Sequence, residues 1–196
     1  MYTYLMTKRT CKRKVEVSNM YYVVQVQTGK EDKTIDAIYR QLGDKEGFDV
    51  FSPYRIKVEK TKGVEHQNKE RCFPGYIFVE TDEPYELFKN LYFTPEFTKM
   101  LGRFGLTNDF IPLNKDESRM IDILYSKNSN RVTSTSDITI TPGENIRVLD
   151  GPLYGVLANV KSVNLHKRLV VVTFPLCGRE VEAKLAINIV TNVINK

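Results

Sequence analysis

Tryptophan is absent from this 196-residue chain, and histidine occurs only at His66 and His166. Two imidazoles so far apart leave little material for metal catalysis. Cysteine is scarce as well: Cys11, Cys72 and Cys177 are odd in number, widely spaced and free of any CxxC pair. That argues against a disulfide framework or a zinc site and for reduced thiols in the cytoplasm. No apolar run approaches the ~20 residues of a membrane-spanning helix, and the N-terminus lacks the apolar core of a secretory signal. No membrane partner is expected. Neither a P-loop nor a GxGxxG is present. Cys72 lies near His66 in sequence, but nothing like a nucleophile elbow or an orienting carboxylate surrounds them. Cys72 reads as a half-buried small hydrophobe. No enzymatic activity, metal or cofactor is expected.

What the chain does have is an uneven distribution of charge. Its net +5 divides into +4 over residues 1–19, −2 over 20–128 and +3 over 129–196. By bulk charge the middle is no nucleic-acid clamp, whereas the C-terminal piece has the sign for one. The pattern of elements divides at the same place. "MYYVVQVQT" (20–28) reads as a strand, followed by a capping box at Thr28 and Glu31 and a helix with Ile35, Ile38, Tyr39 and Leu42 on one face. "FDVFSPYRIKVEK" reads as a strand broken at Pro53, and "GYIFVE" as another. Asp82 caps a helix that buries Leu87 and Leu91, and Asn114 with Glu117 starts a third that contains Ile121, Leu124 and Tyr125. A polar stretch follows and reads as a flexible linker, residues 126–142. Beyond it lie short strands only: 145–149, 156–163, 168–174 and 179–186. The expected fold class is α+β, an N-terminal antiparallel sheet with flanking helices (20–125) plus a small closed β-barrel (143–196).

Two motifs make this reading more specific. "GPLYGVLANVKSV" has the shape of the KOW motif: Gly151 and Pro152 make a turn, Gly155 permits close approach, and Val156, Ala158 and Val160 share one face of a strand. "MYYVVQVQTGKE" and "FPGYIFVE" precede it. In this order and spacing, residues 20–193 resemble the NusG family of transcription elongation factors. The resemblance implies an NGN-like N-terminal domain and an SH3-like KOW barrel. It also implies that an apolar depression with an aromatic "FPGY" segment grips the clamp helices of RNA polymerase. By that resemblance Tyr21, Tyr22, Phe73, Pro74 and Tyr76 are the polymerase-binding candidates; core packing is the competing reading for the inward-facing ones.

Departures from the family pattern point to a specialised paralog. Tyr21 stands where the family usually has Trp, Leu153 where the KOW motif has Phe, and Ala158 where it has a second Gly. Cys177 replaces the aromatic that helps housekeeping members bind Rho or the ribosomal partner. The expected function is transcription antitermination in specific operons, in the manner of the LoaP antiterminators, with RfaH-like behaviour as the alternative. LoaP-like factors are thought to recognise an RNA hairpin in the nascent leader through the KOW domain. The RfaH type reads displaced DNA and hides its interface under a helical C-terminal domain. Alternating "LVVVTF" and "REVEAK" argue against a stable helical form here.

RNA contact needs cations for phosphates and planar groups for bases. The candidates are Arg147, Lys161, His166, Lys167, Arg168, Arg179 and Lys184; a solvated hairpin tip is the plainer reading of the turn among them. Upstream or non-template DNA is a further expected contact, through the lysine-bearing hairpin after Pro53. Two other readings stand beside this one: a general NusG-like elongation factor, and a ribosome- or rRNA-binding KOW protein. A monomer is expected. Residues 1–19 are either a mis-called start before Met20 or a basic disordered arm.

Overall fold

A computed structural model describes residues 20–43, 48–61, 64–95, 97–101, 110–125, 129–141, 145–155 and 159–190. The basic extension 1–19 with Cys11, and Val156 and Ala158 of the glycine-bearing motif, lie outside the described residues. In chain order the elements are β1 (Tyr21–Val26), α1 (Glu31–Leu42), β2 (Asp49–Phe51), β3 (Tyr54–Thr61), β4 (Val64–Arg71), β5 (Tyr76–Glu80), α2 (Pro84–Leu91), β6 (Phe97–Met100), α3 (Lys115–Leu124), β7 (Val132–Thr133), β8 (Ser136–Thr141), β9 (Asn145–Asp150), a 3-10 turn (Pro152–Gly155), β10 (Asn159–Asn164), β11 (Leu169–Leu176) and β12 (Arg179–Ile189).

The Tyr/Val run forms β1, an inner strand of an antiparallel sheet ordered β2-β5-β1-β6. Strand side chains alternate between faces, and this sheet buries both. Tyr22, Val24, Val26, Val50, Ile77 and Val79 pack with Ile38 of α1 and Leu87 and Leu91 of α2. Tyr21, Val23, Phe51 and Phe78 point the other way, towards Ile121, Leu124 and Tyr125 at α3. Pro53 separates β2 from β3, and β3 pairs with β4 from Tyr54↔Arg71 to Thr61↔Val64 as a long hairpin.

The second half is a five-stranded sheet ordered β10-β11-β12-β8-β9. Val170, Val172, Phe174 and Leu176 of β11 line one face together with Val181, Ala183, Leu185 and Ile187 of β12. That face is packed on the first domain's Phe73, Phe78 and Tyr125, so a single apolar core runs through both halves.

Several expectations change. The described part of the stretch 126–142 is no free tether: Val132 and Thr133 pair in parallel with Tyr54 and Arg55, and β8 pairs with both β9 and β12. "DITIT" alternates polar and apolar residues and buries Ile138, a strand pattern masked by its hydroxyl side chains. The second unit therefore begins near Ser136 rather than at 143. The expected strand 156–163 is seen from Asn159, and Val160 is exposed rather than facing a core. The Gly151 turn is as expected: Tyr154 N donates to the Gly151 carbonyl at 2.9 Å, and a Cβ on Gly151 would lie 2.6 Å from Ser136 Cα.

Candidate partner-binding face

The segment "RCFPGY" leaves β4 and turns into β5. Tyr76 N donates to the Phe73 carbonyl at 3.1 Å. Pro74 takes the second position of this turn, and Gly75 the third at φ +85°, the pattern of a type II turn. Three bonds fix it from outside. Gly75 N donates to Oε1 of the buried Glu31 at 2.7 Å, Val26 N donates to the Gly75 carbonyl at 2.9 Å, and Cys72 N donates to the Pro53 carbonyl at 2.9 Å. Glu31 in turn faces Arg71 Nε at 3.3 Å. Arg71 also pairs with Asp32, holding that carboxyl below the usual carboxylate range, and stacks its guanidinium 4.9 Å from the Tyr54 ring centroid.

Glu31 thus serves the turn rather than a capping box. Thr28 and Glu31 form no box, because the N-cap of α1 is Lys30, which makes no side-chain cap bond. Asp82 is likewise displaced as a cap: α2 starts after Glu83, with Pro84 in its first turn. The box at Asn114 and Glu117 does form, at 2.8 and 2.9 Å.

Held this way, Phe73 centres an aromatic network. Its ring lies 5.4 Å from Phe78, 5.9 Å from Tyr125 and 5.9 Å from Phe174 of the second sheet. Phe78 stacks on Phe51 at 5.7 Å, and Phe51 meets Tyr21 edge-on at 6.1 Å. Edge and offset contacts at these separations each add roughly 0.5–1.5 kcal/mol beyond burial. Phe73 is fully buried as a result. The expectation of an aromatic open to a partner fails for this arrangement, because β11 lays Phe174 over it. Tyr21 and Tyr22 do not share a surface, since adjacent strand residues face opposite ways. Tyr21 donates to Asp122 of α3 at 2.7 Å, and Tyr22 packs among the residues beneath α1 and α2. Pro74 is exposed and Tyr76 half-buried.

The seam between the halves is polar as well as apolar. Lys184 N donates to the Cys72 carbonyl at 3.0 Å, and Cys177 N to Glu117 Oε1 at 3.0 Å. The helix-capping carboxylate therefore reaches across to the second sheet. Burial first, and the Glu117 carboxylate second, push the Cys177 thiol up to about 11. Burial pushes Cys72 up to about 12; it is fully buried rather than half-buried. Arg131, on the stretch read as a linker, is buried. It pairs with Asp49, approaches Glu80 at 3.4 Å, donates to the Tyr125 carbonyl at 2.9 Å and lies 3.8 Å from the Phe51 ring centroid. A lone arginine among Ser and Asn gives no sequence signal of such a role.

The RNA candidates do not form one patch. Lys167 and Arg168 are exposed at the β10–β11 turn together with His166. Arg179 is exposed at the other end of β11, about 23 Å away at strand rise. Lys161 is exposed and paired with Glu182, Arg147 is exposed on β9, and Lys184 is half-buried at the seam.

The molecule is therefore a mixed α+β protein: a two-faced sheet with three helices among the described residues, whose aromatic face is covered by a second small sheet. The family model described as "Transcription termination factor nusG" matches residues 19–122, more than half of the chain, and the chain belongs to the NusG family. Members of this family are transcription factors, not enzymes. The transcription termination/antitermination protein NusG of Neisseria meningitidis is 26% identical over 176 residues, covering 86% of this chain and 95% of that protein. Its Thermus thermophilus counterpart is 27% identical, over 84% and 94%. Among solved structures, Thermotoga maritima NusG aligns over 86% of this chain and 93% of that one, with 20% identity and a TM-score of 0.48. No described helix is long and apolar enough to cross a membrane.

Proposed function

We propose that this protein is a cytoplasmic transcription elongation and antitermination factor that binds the clamp helices of RNA polymerase through the aromatic face centred on Phe73. The observation that carries this is the tightly strapped Phe73–Tyr76 turn beside Phe78 and Tyr125, in the half of the chain that the family model matches. With Phe174 on that face, polymerase competes with the second sheet for one apolar surface. The apparent affinity is then the intrinsic one reduced by the fraction of molecules with the face uncovered. The second unit is read as a KOW domain that contacts nascent RNA through Lys167, Arg168 and His166. The departures at Leu153 and Cys177 favour a LoaP-type factor serving particular operons over a general elongation factor.

The test is retention of purified core polymerase on the immobilised full chain. Phe73→Ser should weaken retention at least tenfold, and Phe174→Ser, which thins the cover and leaves Phe73 in place, should strengthen it. Circular dichroism confirms that both variants fold. Equal retention by wild type and a folded Phe73→Ser variant overturns the reading, and capture of ribosomal particles instead supports the ribosome-binding alternative. Transcription through a terminator then separates the finer readings. Readthrough that depends on the native leader marks the specialised factor, and leader-independent change marks a general one.

A further inference from the structure

Strands β4, β3 and β7 form a third sheet, and where it meets the five-stranded sheet a groove of about 270 Å³ is lined by Arg55, Thr135, Asp137, Lys167, Arg168 and Asn188, among others. We propose that this groove is a phosphate-binding site shared by the two domains, in which Arg55 of β3 joins Lys167 and Arg168 of the β10–β11 turn on one phosphate oxyanion. The inference does not depend on the polymerase reading; where the phosphate is that of RNA it rests on the RNA-contact reading of Lys167 and Arg168 and deepens it, and the pyrophosphate arm tests the site apart from that reading.

Charge is the first argument. Three cations and one carboxylate line the groove; Arg55 is also paired with Glu70, and Asp137 is engaged by accepting from Asn188 Nδ2 at 3.1 Å, which leaves Lys167 and Arg168 as the unbalanced charges of the lining. The second argument is Arg55 itself. Its side chain is 3% exposed and pairs with Glu70 through one terminal nitrogen, while Nε is buried without a hydrogen-bond partner. Glu70 meets only one of the terminal nitrogens, so the guanidinium has donors beyond that pair. The third is the backbone of Arg168, at φ +48°. A hairpin turn places glycine at such a left-handed position by default. Here an arginine holds it, anchored by Arg168 N donating to the Leu165 carbonyl at 3.2 Å and by its own carbonyl accepting from Ile187 N at 3.0 Å. Asn164 Oδ1 accepts from Lys167 N at 2.8 Å and fixes the turn beside it. Strain kept for a cationic side chain that lines a groove is a sign of use. Phosphate suits the chemistry, because guanidinium forks match its oxygens and lysine supplies a point charge.

Because its parts come from both domains, the site exists only while the sheets are packed together. Its ligand therefore favours the covered form and opposes any partner that needs Phe73 uncovered.

The experiment follows the thermal midpoint of the full chain at low salt, with inorganic pyrophosphate in one arm and a short single-stranded RNA in the other, each against chloride of equal ionic strength. A ligand of the folded state raises the midpoint. A rise with pyrophosphate means that a free phosphate suffices; a rise with RNA alone means that the nucleic-acid backbone is the source. No rise in either arm overturns the proposal. Arg168→Gly suits the local backbone, so its own midpoint should hold or rise while the dissociation constant weakens by about tenfold. Arg55→Gln should weaken binding to a similar extent. If Arg55→Gln binds as well as wild type, the second domain alone holds the anion and the shared site is wrong.

Discussion

Gly75 is the residue on which the candidate face turns. Its φ of +85° suits a residue without Cβ, and a Cβ there would sit 2.9 Å from Thr28 Oγ1. Gly75→Ala should therefore destabilise the protein by about 1–2 kcal/mol for the left-handed backbone, with the Thr28 contact added. Urea unfolding of Gly75→Ala, Thr28→Ala and the double variant separates the two contributions. The double variant should recover the contact and leave the backbone cost; full recovery would mean that the backbone carries no strain. At this scale the sequence is informative where chemistry is local. A Pro-Gly pair between aromatics announces the turn, and its residues behave accordingly. The same stretch says nothing of Glu31, whose carboxylate reaches Gly75 from 44 positions away in the chain, nor of Arg131 beneath Phe51. Both act through tertiary neighbours that no short window contains.

Elements follow the same rule. The strand at 21–26, the break at Pro53 and the box at Asn114 and Glu117 are readable because period and cap chemistry are local signals. The box at Thr28 has the right letters but fails, because Glu31 is drawn to the Gly75 turn and Arg71 instead. β8 escapes notice because Ser and Thr in alternation resemble a linker. Within α3, Glu117 has two tasks: Oε2 accepts from Asn114 N at 2.8 Å and Oε1 from Cys177 N at 3.0 Å. Asn114→Ala removes one cap bond and should cost about 1 kcal/mol. Glu117→Ala removes that reciprocal bond and also the bond across the seam. Amide hydrogen exchange should then show protection lost at Cys177 in Glu117→Ala but kept in Asn114→Ala. Equal loss in both would mean that the bond to Cys177 depends on the helix end as a whole rather than on this carboxylate.

Over the whole molecule, the packing of one sheet on the other is the feature farthest from the sequence. The apolar faces of β11 and β12 are evident from their alternation, but alternation cannot say what a face meets. Here Phe174 meets Phe73, and a sheet rather than a helix does the covering. Cys177 offers a reporter of that packing. Its thiol is pushed up to about 11 by burial and by Glu117, both of which depend on the seam, with Arg179 opposing. If the sheets part, the thiol returns towards its ordinary value near 9, and at pH 8 the reactive thiolate fraction rises by about a hundredfold. In a Cys11→Ser variant, alkylation of Cys177 followed by mass spectrometry should therefore accelerate by about that factor when saturating RNA polymerase is added. Cys72, pushed to about 12 by burial, lies at the same seam and starts from the smaller thiolate fraction, so it should react more slowly than Cys177. Circular dichroism of the complex separates parting, which keeps the secondary structure, from unfolding, which loses it. An unchanged rate at Cys177 with polymerase demonstrably bound would mean that polymerase engages the protein without uncovering Phe73, and the competition between polymerase and the second sheet would have to be abandoned.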